Sequence, residues 1–100
     1  GLALGEKAGL GKEEILDVLG AGAVANPMFA LKGNLICQGN YAPAFPLKHM
    51  QKDLRLAVAL GDRLGQPLHA AAATNELFKG AKAAGFGDED FAALFKALAP

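Results

Sequence analysis

Phe45-Pro-Leu-Lys-His-Met-Gln-Lys52-Asp53-Leu-Arg-Leu-Ala57 reads as the opening of one long amphipathic helix. Pro46 suits a first helical position, where its missing N–H costs nothing. Leu47, Met50, Leu54, Ala57, Val58, Gly61 and Leu64 then recur at spacings of three and four, which stacks them on one face. At about 100° per residue, Lys48, Arg55 and Asp62 fall together on the opposite, wet face. Asp53 does not join them. It falls among Ala57, Leu60 and Leu64, with Lys52 on the rim beside Leu56. A carboxylate in an apolar arc is costly unless something pairs with it. Two readings are open: an intrahelical ion pair on a solvated surface, or a shielded acid whose cationic partner comes from another domain.

The flanking sequence is punctuated for helices throughout. Gly1 to Ala8 reads as helix and stops at the glycines 9 and 11; residues 12–19 form another, with Glu13 and Glu14 in a first turn that favours acids. Asn26-Pro27 caps and opens a helix to about Gln38, closed by Gly39-Asn40. Residues 41–45, with Pro43, form an extended connector. The long helix then covers 46–64 and stops at Gly65-Gln66-Pro67. An alanine-rich helix over 68–84 follows, broken by Gly85-Phe-Gly87. Asp88 caps a last helix with Glu89 and Asp90 as ordinary first-turn charges and Phe91, Leu94, Phe95 and Leu98 as its stripe. The six β-branched residues never cluster, so strands have little to build on. The reading is a single all-α domain over residues 1–100, about six helices.

Composition narrows the function. With 52% hydrophobic residues and a formal net charge of +0, the chain is expected to be globular rather than disordered, and its balance argues against nucleic acid as a partner. Between Asp17 and Asp53 there is no acid, while Lys32, Lys48 and Lys52 are present. That segment is either a face for an anion or ordinary uneven surface charge. Cys37 is the sole cysteine, which rules out an internal disulfide and suits a reducing compartment. With no leader and no bilayer-length apolar run, a cytoplasmic location without a membrane partner is expected. The helical start without Met or cap is what a piece of a longer polypeptide would give.

Other motifs carry less. Gly20-Ala-Gly22-Ala-Val-Ala25 fits the dinucleotide fingerprint letter for letter, but that chemistry needs a strand before it, a helix after it and an acid about 20 residues on. Here the preceding spacing is helical, Asn26-Pro27 interrupts at once, and Gly20 and Gly22 read as a helix stop. His49 and His69 lack ligand neighbours at metal spacing, so no metal site is expected, and no nucleophile set is present. Cys37 reads as a small core residue. Asn75 is either a polar group at a helix contact, the favoured reading, or a site residue.

Phe45-x-Leu47-x-x-x-x-Lys52-Asp53-Leu54-x-Leu56-Ala57 resembles the central motif of the C-terminal domain of the β-hydroxyacid dehydrogenases, the family of 3-hydroxyisobutyrate dehydrogenase and relatives of 6-phosphogluconate dehydrogenase. The stretches from Gly20 to Phe29, Pro43 to His49, Ala72 to Lys79 and Gly85 to Phe91 are similar to the glyoxylate/succinic semialdehyde reductase branch. The resemblance implies a parent enzyme whose N-terminal Rossmann domain binds most of NADP(H). The all-α domain would complete the cleft and an oligomer interface, dimeric or tetrameric. The parent would reduce a small aldehyde acid, glyoxylate or succinic semialdehyde, by hydride transfer. The family's catalytic lysine, in Gly-x-x-x-Lys-x-x-Asn, has no counterpart in these residues, so no catalytic residue is expected in this chain and the chain alone is expected to be inactive. By the same resemblance, Lys52 and Phe45 contact the cofactor and Asp53 orients the catalytic lysine or the substrate. The alternative is a helical interaction module without chemistry.

Overall fold

The computed structural model describes residues 1–99, which form six α-helices. They are α1 (Leu2–Lys7), α2 (Lys12–Gly20), α3 (Pro27–Gln38), α4 (Leu47–Leu64), α5 (His69–Ala81) and α6 (Leu94–Leu98). The ends reflect local chemistry. The Asn26 side chain accepts from the Met28 and Phe29 amides at 3.0 and 3.2 Å, capping α3 ahead of Pro27. Gly39 and Gly65 take left-handed conformations (φ 65° and 68°), and the next amides turn back to Leu35 O and Gly61 O, at 2.9 and 2.8 Å. Those are the bonds that close a helix capped by a left-handed glycine.

The antiparallel pair α4 and α5 is the spine of the fold, α1 packs on α2 and α2 on α3, and the segment after α5 ties the halves together. On α4, Leu47, Gln51 and Gly61 are buried while Met50, Leu54 and Val58 are half-buried; from α5 come Asn75, Phe78 and Ala81. The centre is Leu47, Phe78, Ala81 and Ala93, with Tyr41, Phe86, Phe91 and Leu94 packed around it. Small residues let backbones approach: Leu16 of α2 lies over Gly33 of α3, and Ile15 over Gly5 of α1.

Several expectations about the ends shift. Pro46 stands outside α4 (φ −59°, ψ 138°), because it pairs as an isolated antiparallel bridge with Asp90. Ala57 and Leu64 point outward rather than into the core, and the buried Gln51 takes part of the inner face. Helix α5 stops at Ala81, and Lys82–Phe86 is a widened turn interrupted at Gly85, whose φ of 99° suits glycine. Asp88 does not cap the last helix. Asp90 does, accepting from Ala92 N–H at 2.9 Å ahead of a 3₁₀ turn, Phe91–Ala93, that leads into α6. Asp88 instead reaches Lys48 on the surface.

The radius of gyration, 14.5 Å, exceeds the roughly 13 Å of a compact 100-residue domain. Large apolar side chains accordingly lie in the open, with Leu4, Val18, Val24 and Leu64 each more than 70% exposed.

Candidate functional site

The connector before α4 is stitched to the segment before α6 along its whole length. Asp90 N–H donates to Tyr41 O (2.9 Å), Phe91 N–H to Phe45 O (3.0 Å), Leu47 N–H to Glu89 O (2.8 Å) and Lys48 N–H to Gly87 O (3.0 Å). Two amides of the connector go to the Asp90 carboxylate: Ala44 N–H at 3.2 Å and Phe45 N–H at 3.1 Å, both to Oδ1. The Lys32 ammonium donates to the same oxygen at 2.9 Å. Asp90 is 0% and Lys32 8% exposed, so this is a buried ion pair. Burial pushes the Asp90 carboxyl upward, but the Ala92 amide, Lys32 and the Phe45 and Ala44 amides outweigh it and hold it below its ordinary value.

This stitching fixes Phe45 at the entry to α4. The residue is 37% exposed, and its ring meets the Phe91 ring edge-on (centroids 6.2 Å, 76°) and the His49 ring at 6.1 Å. Lys52 and Asp53 come three and four residues after His49, on the same side of α4. Their side chains are 47% and 50% exposed and pair with each other, Nζ to Oδ1, at 2.7 Å. His49, Lys52 and Asp53 thus share one outward face, with Phe45 set beside His49 at its start, and the face continues into the exposed Leu56, Leu60 and Leu64.

Asp53 does fall on the same side of α4 as Leu60 and Leu64, but that apolar arc is surface, so the carboxylate is not shielded within the chain and Lys52 is its partner. The inward acid is Asp90, which first-turn position alone marks as an ordinary helix-start charge. Its signal in the sequence is Lys32, a lysine in apolar α3 with no acid near it in the chain; the acid it needs is 58 residues away. Asn75 settles as a helix contact, accepting from Gln51 Nε2 at 3.0 Å in the buried α4–α5 seam. His49 is exposed on α4, and Cys37 is partly buried, where burial first and nearby Glu13 second push its thiol up.

Gly20 ends helix α2 and residues 21–25 form the loop that follows it, so this glycine pattern does not stand after a strand. A family model described as NAD-binding of NADP-dependent 3-hydroxyisobutyrate dehydrogenase matches residues 1–98. The chain belongs to this family. Glyoxylate/succinic semialdehyde reductase 1 of Arabidopsis thaliana is 51% identical over 98 residues, 98% of this chain and 34% of that protein. Cytokine-like nuclear factor N-PAC of Homo sapiens is 44% identical over 97 residues, 97% of this chain and 18% of that protein. The crystal structure of 3-hydroxyisobutyrate dehydrogenase from Salmonella typhimurium superposes with a TM-score of 0.91 at 30% identity, over 96% of this chain and 34% of that one. The fold is therefore the all-helical C-terminal domain of the 3-hydroxyisobutyrate dehydrogenase family. The chain spans about a third of the length of the reductase it matches.

Proposed function

We propose that this domain completes the active site of an NADPH-dependent reductase of small aldehyde acids, glyoxylate and succinic semialdehyde, together with a dinucleotide-binding domain of the same polypeptide. The observation that carries the reading is the outward face of α4 that bears Lys52 and Asp53, with Phe45 set beside His49 at its start, in a domain of this family. Bound NADPH supplies the hydride. Lys52 meets the cofactor as a flexible point charge. Asp53, once Lys52 turns to the cofactor, is free to orient the catalytic lysine of the other domain or the substrate. Phe45 walls the cleft and keeps water from it. No Gly-x-x-x-Lys-x-x-Asn occurs in these 100 residues, so the proton donor is assigned outside them. The apolar stripe of Leu56, Leu60 and Leu64, with Leu4, Val18 and Val24, supports further contact with that domain and with a second copy of the chain.

The test is steady-state reduction of both aldehydes by the full-length protein, monitored as NADPH oxidation. Lys52→Ala should weaken NADPH binding, and Asp53→Asn should cut turnover; wild-type kinetics in both variants would sink the site assignment. The 100-residue chain by itself should oxidise no NADPH. A second reading, a helical interaction module without chemistry, is favoured by the 44% identity to a relative named as a nuclear factor. A full-length protein that lacks the lysine motif and reduces neither aldehyde would decide for it.

A further inference from the structure

We propose that Asp90 and Lys32 are positioning residues for the proposed site, acting through Phe45. The inference rests on the reading that Phe45 walls the cofactor cleft. Pro43 and Pro46 carry no N–H, so between them the connector has two amides, those of Ala44 and Phe45. Both are spent on Asp90 Oδ1. With Lys32 on the same oxygen and Ala92 N–H on Oδ2, the carboxylate receives four donors, about its full capacity. The Phe45 carbonyl is held by the next amide, that of Phe91. Phe45 is therefore gripped on both sides of its Cα by one dipeptide.

Lys32 acts on both routes. Its ammonium fixes the carboxylate, and it lies 4.6 Å from the centroid of the Phe91 ring that meets Phe45 edge-on. A buried ion pair is weak evidence for stability, since apolar replacements often do as well. What an apolar pair cannot supply here is an acceptor for the two connector amides. The charge pair thus sets where the Phe45 ring stands relative to Lys52 and Asp53.

The experiment is a double-mutant cycle in the full-length protein: Asp90→Asn, Phe45→Ala and both together, with Lys32→Gln and Lys32→Arg alongside. Asp90→Asn should lower kcat/KM for the aldehyde by roughly tenfold to a hundredfold, as a small displacement at a site can. In the Phe45→Ala background the same change should matter by less than about twofold, because distant independent effects multiply and shared ones do not. Lys32→Gln should behave like Asp90→Asn, and Lys32→Arg should restore most of the loss. Losses that multiply would overturn the proposal, and so would a Lys32→Gln variant with wild-type kinetics. Hydrogen exchange supplies a readout that needs no turnover: peptides over residues 41–47 should lose protection in Asp90→Asn and Lys32→Gln while α5 peptides keep theirs. If the wild type reduces neither aldehyde, the proposed function fails, and exchange alone then decides the clamp; unchanged protection over 41–47 would refute it. If Asp90→Asn does not fold, the two Lys32 variants carry the same decision.

Discussion

The Lys32 ammonium lies 2.9 Å from Asp90 Oδ1 across 58 residues of sequence, and both side chains are buried. The two ends of the pair are not equivalent. Lys32→Met removes one donor and leaves a carboxylate that still receives three amides. Asp90→Leu strands an ammonium and those three amides together. Breaking a buried pair from one side costs about 3–5 kcal/mol, and we expect Asp90→Leu at or above the top of that span and Lys32→Met near its bottom. Urea midpoints of the two variants check the order; equal losses would mean the amide bonds contribute little.

Asp90 also sets an acid limit. Its carboxyl is held below its ordinary value in the folded state, so folding favours the ionised form. That contribution is full above the unfolded carboxylate pKa of about 3.9 and is lost as pH falls through the lower folded value. Stability should therefore drop as pH falls below about 4, and Asp90→Asn should flatten that limb. Lys32→Met removes one of the interactions that lower the carboxyl, so its acid-dependent loss should be smaller and complete at higher pH. The exposed Asp88, lowered by Lys48, should lose its effect in added salt whereas Asp90 should not. Denaturant titrations across pH at two salt concentrations measure both.

The residues explain how much of this was legible. Caps and stops such as Asn26, Gly39 and Gly65 act within a few residues, so the sequence locates α3 and the end of α4 well. The outward arc around Asp53 is a consequence of helical periodicity, but whether that arc is core or surface depends on what packs against it. Asp88 and Asp90 look alike in the chain as acids before an apolar stripe. Only the fold brings Lys32, Ala44 and Phe45 to the second of them. Gln51 sits at an inner position of α4 for the same kind of reason, its partner Asn75 lying on another helix.

Gly61 is where the last turn of α4 packs against the loop to α5. A Cβ there would stand 2.8 Å from Gln66 O and 3.0 Å from Leu68 Cδ1, and the carbonyl cannot retreat because its segment is fixed by the bond from Gln66 N–H to Gly61 O. Helix propensity would favour alanine by about 1 kcal/mol, yet overpacking costs about 1–3 kcal/mol, so Gly61→Ala should destabilise on balance. Gly80 in α5 meets nothing within 4 Å, and Gly80→Ala should stabilise by up to about 1 kcal/mol. Opposite shifts in thermal midpoint are the expected result.

Lys52 and Asp53 should separate function from stability. Their ion pair is about half exposed, and pairs of that kind contribute about 0–1 kcal/mol, less in salt. Lys52→Ala and Asp53→Asn should therefore unfold within about 0.5 kcal/mol of wild type, since neither leaves a buried group unpartnered. A domain that gained nothing else from these residues would show no further change. The proposed site requires one: weaker NADPH binding for Lys52→Ala, read by titration of cofactor fluorescence against the full-length protein. A loss of more than about 2 kcal/mol in either variant would instead place the residue among the structural groups of the domain, because exposed pairs do not reach that value.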